Sequence, residues 1–132
     1  MSTKDIISEF YNLNLAKADN QPVALELFHK DCEIDWNSSK GVAKLDYEGF
    51  SNMLLGIKES FFSFTYKISH LFADTNQGAV RYTIFGTTIE EPEIAIPLGH
   101  FISIVEVKDQ KIHRVFQISQ EADENILNMS LF

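Results

Sequence analysis

Asp35 and Trp36 are adjacent in the stretch Asp-Cys-Glu-Ile-Asp-Trp-Asn-Ser-Ser, residues 31–39. A carboxylate held against an aromatic wall loses hydration of its charged form, its pKa rises, and it becomes a working acid or base near neutral pH. Asp35 is therefore a candidate general base. Residues 32–36 also read as a strand, on which neighbouring side chains face opposite ways. Glu33 and Asn37 share the side of Asp35, which supports a competing reading: a solvent-facing acid beside a buried tryptophan. The two residues face one pocket together only if a β-bulge breaks the strand there.

Few other residues could do chemistry. Cys32 is the only cysteine, so no intrachain disulfide forms, and a buried structural thiol is the ordinary reading. His29, His70, His100 and His113 are spread one to an element, without the spacing of a metal site. His29 is expected at a helix C-terminus, where a positive side chain suits the dipole. His100 alternates with Leu98, Ile102 and Ile104 and is expected on the outer face of its strand. There is no Gly-rich phosphate loop and no G-x-S-x-G nucleophile motif. No metal and no cofactor is expected.

The elements that would position these residues read as helices first and strands after. Ser2-x-x-Asp5 has the form of a capping box. Behind it Ile6, Ile7, Phe10, Leu13 and Ala18 recur at helical spacing, predicting a helix that ends near Asp19-Asn20. A short helix starts around Pro22, with Ala24, Leu27 and Phe28 on its apolar stripe. After strand 32–36, Ser38-Ser39-Lys40-Gly41 reads as a turn or loop. Asp46 is a candidate N-cap for a third helix with Tyr47, Phe50, Met53, Leu54 and Ile57 on one face. Phe64, Tyr66, Ile68, His70 and Phe72 then alternate with polar residues, a period of two. A hairpin loop at 74–78 leads into Val80, Tyr82 and Ile84. Residues 85–95 are ambiguous, since Pro92 and Pro97 bar a central strand across them. Strands over 98–107 and about 111–120 flank a turn at Asp109-Gln110.

The 132 residues suit one domain, 1–132, and at 45% hydrophobic they can build a core. Eleven are phenylalanine, which points to a coarse-grained core or to aromatic surface lining a cavity. A net charge of −8 argues against nucleic acid and against an anionic membrane surface. The N-terminal segment carries acids where a signal peptide needs an apolar run, and no apolar run is long enough to span a membrane. A soluble, cytoplasmic protein is expected. Leu98, Ile102 and Ile104 on one face of the 98–107 strand oppose Phe101, Val105 and Val107 on the other. A sheet apolar on both faces covers helices with one and needs a second layer for the other, which suggests a homodimer through the sheet.

The order of these features resembles the nuclear transport factor 2-like superfamily, and most closely its SnoaL-like branch, relatives of polyketide cyclases and ketosteroid isomerases. The stretches that carry the likeness are the first amphipathic helix, Leu27-Phe28-His29-Lys30-Asp31-Cys32-Glu33-Ile34, the third helix, and the hairpin Val107-Lys108-Asp109-Gln110-Lys111-Ile112-His113-Arg114. The resemblance implies an α+β fold: a cone-shaped, curved antiparallel sheet packed on three N-terminal helices. It also implies a conical apolar pocket for a small hydrophobic molecule, and dimers through the outer face of the sheet.

Carried across residue by residue, the isomerase base position falls on Trp36, with Asp35 one residue before it. The first-helix tyrosine position falls on Asn12, with Tyr11 one residue before it. The late-strand aspartate falls on Ser103, and the cyclase histidine and aspartate fall on Val115 and Gln117. None of these catalytic types is kept. A one-residue slip reverses the face of a strand but turns a helical side chain by only about 100°. Tyr11 therefore survives as a pocket candidate better than Asp35. The family register points Tyr82, Ser103 and Gln117 inward, and Phe28, Trp36, Phe101 and Val115 complete the implied ligand-binding set. Trp36 reads equally as pocket wall or ordinary core. Two functions stay open: a small-molecule binder, with isomerase or cyclase chemistry if it is an enzyme, and a non-catalytic dimeric protein-interaction module.

Overall fold

The computed structural model describes residues 1–122. In chain order these form α1 (Thr3–Tyr11), α2 (Asn20–Leu27), β1 (Phe28–Ser38), β2 (Gly41–Leu45), α3 (Tyr47–Ser60), β3 (Phe61–Asp74), β4 (Gln77–Thr88), β5 (Ile96–Lys108) and β6 (Lys111–Glu121). The strands make one open, six-stranded sheet in the order β2-β1-β6-β5-β4-β3. All pairings are antiparallel except β1 with β6, so the sheet is mixed. The three helices pack on one face, giving the α+β architecture expected from the sequence. No helix among the described residues is long and apolar enough to cross a membrane.

The helix starts follow from local chemistry. The Ser2 side chain accepts the Asp5 N–H while the Asp5 carboxylate accepts the Ser2 N–H, so the capping box forms. Asp46 caps α3 by accepting the Gly49 N–H at 2.8 Å. The first helix stops at Tyr11, well before Asp19. Asn14 Oδ1 accepts the N–H groups of Ala16 and Phe64, and its amide donates to Ser63 Oγ. The Leu15 N–H reaches Phe64 O. An asparagine that ties the backbone to a neighbouring strand competes with helical bonding, and the segment docks on the β3 edge instead.

Bulges decide which side chains face the helices. In β3 the pairing shifts between Ile68 and His70. Phe64, Tyr66 and Ile68 therefore pack against the core, while His70 and Phe72 turn outward, Phe72 to 66% exposure. Plain alternation over 64–72 puts all five on one face. In the β5–β6 pair the shift falls at Glu106 and Val107, so Ile112 turns inward with Val115 rather than outward with Phe116 and Ile118. Between β4 and β5 it falls at Ile84 and Phe85, and Leu98 is packed against the core while Ile102 and Ile104 face out. Each bulge inserts one unpaired residue and so reverses the facing of the residues beyond it.

Tight connections set the rest. Asp109 and Gln110 both have positive φ, 54° and 65°, which matches the right-handed twist of a two-residue hairpin. Gly78 opens β4 against Phe72 and Ile7: a Cβ there would lie 2.6 Å from Phe72 O and 2.7 Å from the Ile7 side chain. Only glycine lets α1 approach this hairpin. Pro97 sits in β5 beyond the point where β6 stops pairing, so its missing N–H breaks no ladder bond on that side. The strand β2, which starts at the last residue of the expected 38–41 turn, adds an edge that its five residues, Gly-Val-Ala-Lys-Leu, were too few to announce.

Candidate functional site

Between the inner face of the sheet and α1 and α3 lies a cavity of about 290 Å³. Its walls are overwhelmingly aromatic and aliphatic. Phe10, Phe50, Met53 and Ile57 line the helix side, and Phe28, Trp36, Tyr82, Phe101 and Val115 the sheet side. The exposed members of the lining, Lys40, Gln120 and Glu121, mark the mouth.

Phenol hydroxyls gather deep in the wall. Tyr11, Tyr66 and Tyr82 lie with ring centroids 4.9–5.1 Å apart. Tyr82 stacks flat on Phe101 at 5.1 Å, and its hydroxyl is 3.0 Å from Ser103 Oγ. Burial raises all three phenol pKa values, that of Tyr11 to about 12, although hydrogen bonding with Ser103 and Tyr82 works against the rise. These groups are neutral at any physiological pH. Two protons link the three oxygens when Ser103 donates to Tyr82 and Tyr82 to Tyr11, which leaves the polarised Tyr11 O–H to face the cavity.

Trp36 lines the cavity and donates its Nε1–H to Ser119 Oγ at 2.7 Å. Asp35 faces the other way. The β1–β6 register runs unbroken from Glu33 to Asn37, pairing Asp35 with Phe116 and Trp36 with Gln117, so no bulge turns Asp35 inward. The first-helix candidate Tyr11 is in the wall, as are Phe28, Tyr82, Phe101, Val115 and Gln117. Ser103 is fully buried behind Tyr82 and does not reach the cavity surface. His100 lies on the outer face, its Nδ1 2.8 Å from Thr83 Oγ1. Among the described residues no cluster of three or more His, Cys, Asp or Glu could hold a metal ion.

Several wall residues were missed in the sequence. Tyr66 alternates with Phe64 and could have been found from the same period of two. Ser119, Lys40 and Glu121 had no local signal. They meet Trp36 and the mouth only because β6 lies parallel beside β1 and the β1–β2 turn swings over it.

No protein-family model matches the chain, and no curated protein sequence does. Solved structures match over most of its length. They include IdmH, a candidate polyketide cyclase from Streptomyces antibioticus, with 21% identity, a TM-score of 0.68, and coverage of 90% of this chain and 92% of that one. A candidate SnoaL-like polyketide cyclase from Shewanella putrefaciens CN-32 has 6% identity and a TM-score of 0.67 over 89% of this chain and 88% of its own. A nuclear transport factor 2-like protein of unknown function from Cytophaga hutchinsonii has 16% identity and a TM-score of 0.60, covering 98% of this chain and 96% of that one. The chain has the nuclear transport factor 2-like fold. At these identities the likeness to nuclear transport factor 2-like and SnoaL-like structures is one of architecture, and it carries no activity across. Within that fold the chemistry must be read from the cavity itself.

Proposed function

We propose that the cavity binds a small, mostly apolar molecule that carries a carbonyl oxygen, with Tyr11 as the hydrogen-bond donor to that oxygen and Tyr82 and Ser103 as the groups that position it. The observation that supports this is the set of buried, neutral tyrosine hydroxyls in an otherwise apolar wall. An apolar cavity with a few convergent polar groups is the usual form of a small-molecule site. A polarised phenol stabilises negative charge that develops on a carbonyl, so isomerase or cyclase chemistry would use Tyr11 in this role. Such chemistry also needs a base. Asp35 is withdrawn from that role by its orientation, and among the described residues the only carboxylate of the lining is Glu121, at the mouth. Binding is therefore the core of the reading, with catalysis as its extension.

A second reading is favoured by the outer face. Phe72, Ile102, Ile104, Phe116 and Ile118 are all exposed. The strand register sets Ile104 between Ala79 and Phe116, and Ile102 beside Ile118. A contiguous apolar patch of this kind marks an association surface. We take its occupant to be a second copy of the chain, forming a cytoplasmic homodimer whose cavities remain open to ligand. In the alternative, this face serves a non-catalytic interaction module.

Thermal unfolding with paired ligands tests the binding reading. The bicyclic ketone 2-decalone should raise Tm more than its parent hydrocarbon decalin, and Tyr11→Phe should remove the difference. Absence of stabilisation by either compound, together with no response to a wider panel of steroids, aromatic polyketides and fatty acids, would favour the interaction module.

A further inference from the structure

Among the described residues the cavity lining contains two charged side chains, and both stand at its mouth. Lys40, in the turn between β1 and β2, places Nζ 2.9 Å from Oε1 of Glu121, the last residue of β6. The pair thus crosses the opening from one element to another. The groups beside it are donors. Ser38 Oγ accepts the Lys40 backbone N–H at 3.2 Å, and Ser119 Oγ accepts the Trp36 indole N–H at 2.7 Å. A hydroxyl whose oxygen is already accepting keeps its proton to give elsewhere. The Gln117 carboxamide, paired across from Trp36, adds N–H donors and one acceptor oxygen and serves either charge. Among the described residues the rim therefore offers an ammonium and two spare hydroxyl protons against a single carboxylate.

We propose that the ligand is an amphipathic acid whose apolar body fills the cavity and whose carboxylate is taken by Lys40 in place of Glu121, with the Ser119 hydroxyl as second donor. This rests on reading the cavity as a ligand site and adds the charge of what it takes. The exchange is cheap on both sides. The Glu121 side chain is 62% exposed and the Lys40 side chain 80%, so the displaced carboxylate returns to water and the incoming one stays at the wet rim without losing all its hydration. An amine would instead take Glu121, and the spare hydroxyl protons would then face a cation. The donor excess favours the acid. About 290 Å³, at ~30 Å³ for each water-sized group, holds an apolar body of roughly ten non-hydrogen atoms.

Isothermal titration with 4-cyclohexylbutanoate and its neutral amide, 4-cyclohexylbutanamide, tests this on the wild-type chain, Lys40→Ala and Glu121→Gln. Both substitutions are at exposed side chains and leave the core untouched. At low salt the wild type should bind the acid about threefold or more tighter than the amide. Lys40→Ala should bring the two ligands to equal affinity. Glu121→Gln removes the competitor and should tighten the acid about two- to fivefold. Equal affinities in the wild type, or a weaker acid in Glu121→Gln, would overturn the assignment of Lys40 while leaving the cavity as a ligand site. Failure of both compounds to bind would overturn the ligand-site reading itself, and this inference with it.

Discussion

Replacing Tyr82 by phenylalanine keeps the ring and removes one oxygen. The ring is 3% exposed and stacked parallel on Phe101 at 5.1 Å, so packing is retained and the change isolates the hydrogen bond to Ser103 at 3.0 Å. A hydrogen bond of this kind contributes about 1 kcal/mol net, and a buried partner left short of its bond costs about 1–3 kcal/mol. Ser103 is fully buried but also within hydrogen-bond reach of Tyr11, which softens the loss. The expected destabilisation is about 1–2 kcal/mol, or a fall in Tm of roughly 3–6 °C for a chain of this length. Ser103→Ala removes the same bond from its other end and should cost a similar amount. The double variant removes both partners and should cost less than the sum, with a coupling of about 1 kcal/mol. Urea unfolding followed by tryptophan fluorescence and circular dichroism, at unchanged m-value, measures this cycle. Strict additivity to within about 0.3 kcal/mol would refute the hydroxyl network on which the proposed carbonyl site depends.

Alkaline pH should act on the same network. Burial raises the Tyr11 pKa to about 12 and pushes Tyr66 and Tyr82 in the same direction, whereas a free tyrosine titrates near pH ~10. The folded state then keeps protons that the unfolded chain gives up. Stability is full below pH ~10 and falls as pH rises through about 12; a flat denaturation profile across that window would contradict the burial of these phenols. Cys32 is buried and its thiol is raised to about 11, so at pH 8 roughly one molecule in a thousand carries the thiolate. A disulfide reagent should label it only on unfolding, and rapid labelling of the native chain would be inconsistent with that placement. On the outer face, Ile102→Glu combined with Ile118→Glu should convert a dimer to a monomer by light scattering; a wild-type monomer, or a variant that stays dimeric, would remove the proposed interface.

How much the residues alone reveal depends on how local each signal is. The capping box at Ser2 and Asp5, the Asp46 cap and the Asp109-Gln110 turn are short-range chemistry, and all three are visible in the sequence. The opposition of Asp35 and Trp36 needs only the period of a regular strand. The bulges are another matter. One unpaired residue at Ser69, His113 or Leu98 leaves the hydropathy pattern nearly unchanged but reverses the facing of the residues beyond it, as Phe72 and Ile112 show. The early end of α1 is hidden because Asn14 is decided by a strand some fifty residues away. The mouth is hidden for the same reason, since Lys40 and Glu121 meet only once β1 and β6 lie side by side.

Trp36 is the only tryptophan in the chain, and it lines the cavity. Titration of its fluorescence with 2-decalone, whose carbonyl absorbs only weakly where tryptophan is excited, reports directly on whether the cavity takes up an apolar carbonyl compound. A saturable change in intensity and emission maximum, with a midpoint that matches the ligand-induced rise in Tm, is the predicted result. A change that stays linear with concentration, with no rise in Tm, would contradict the cavity as a binding site.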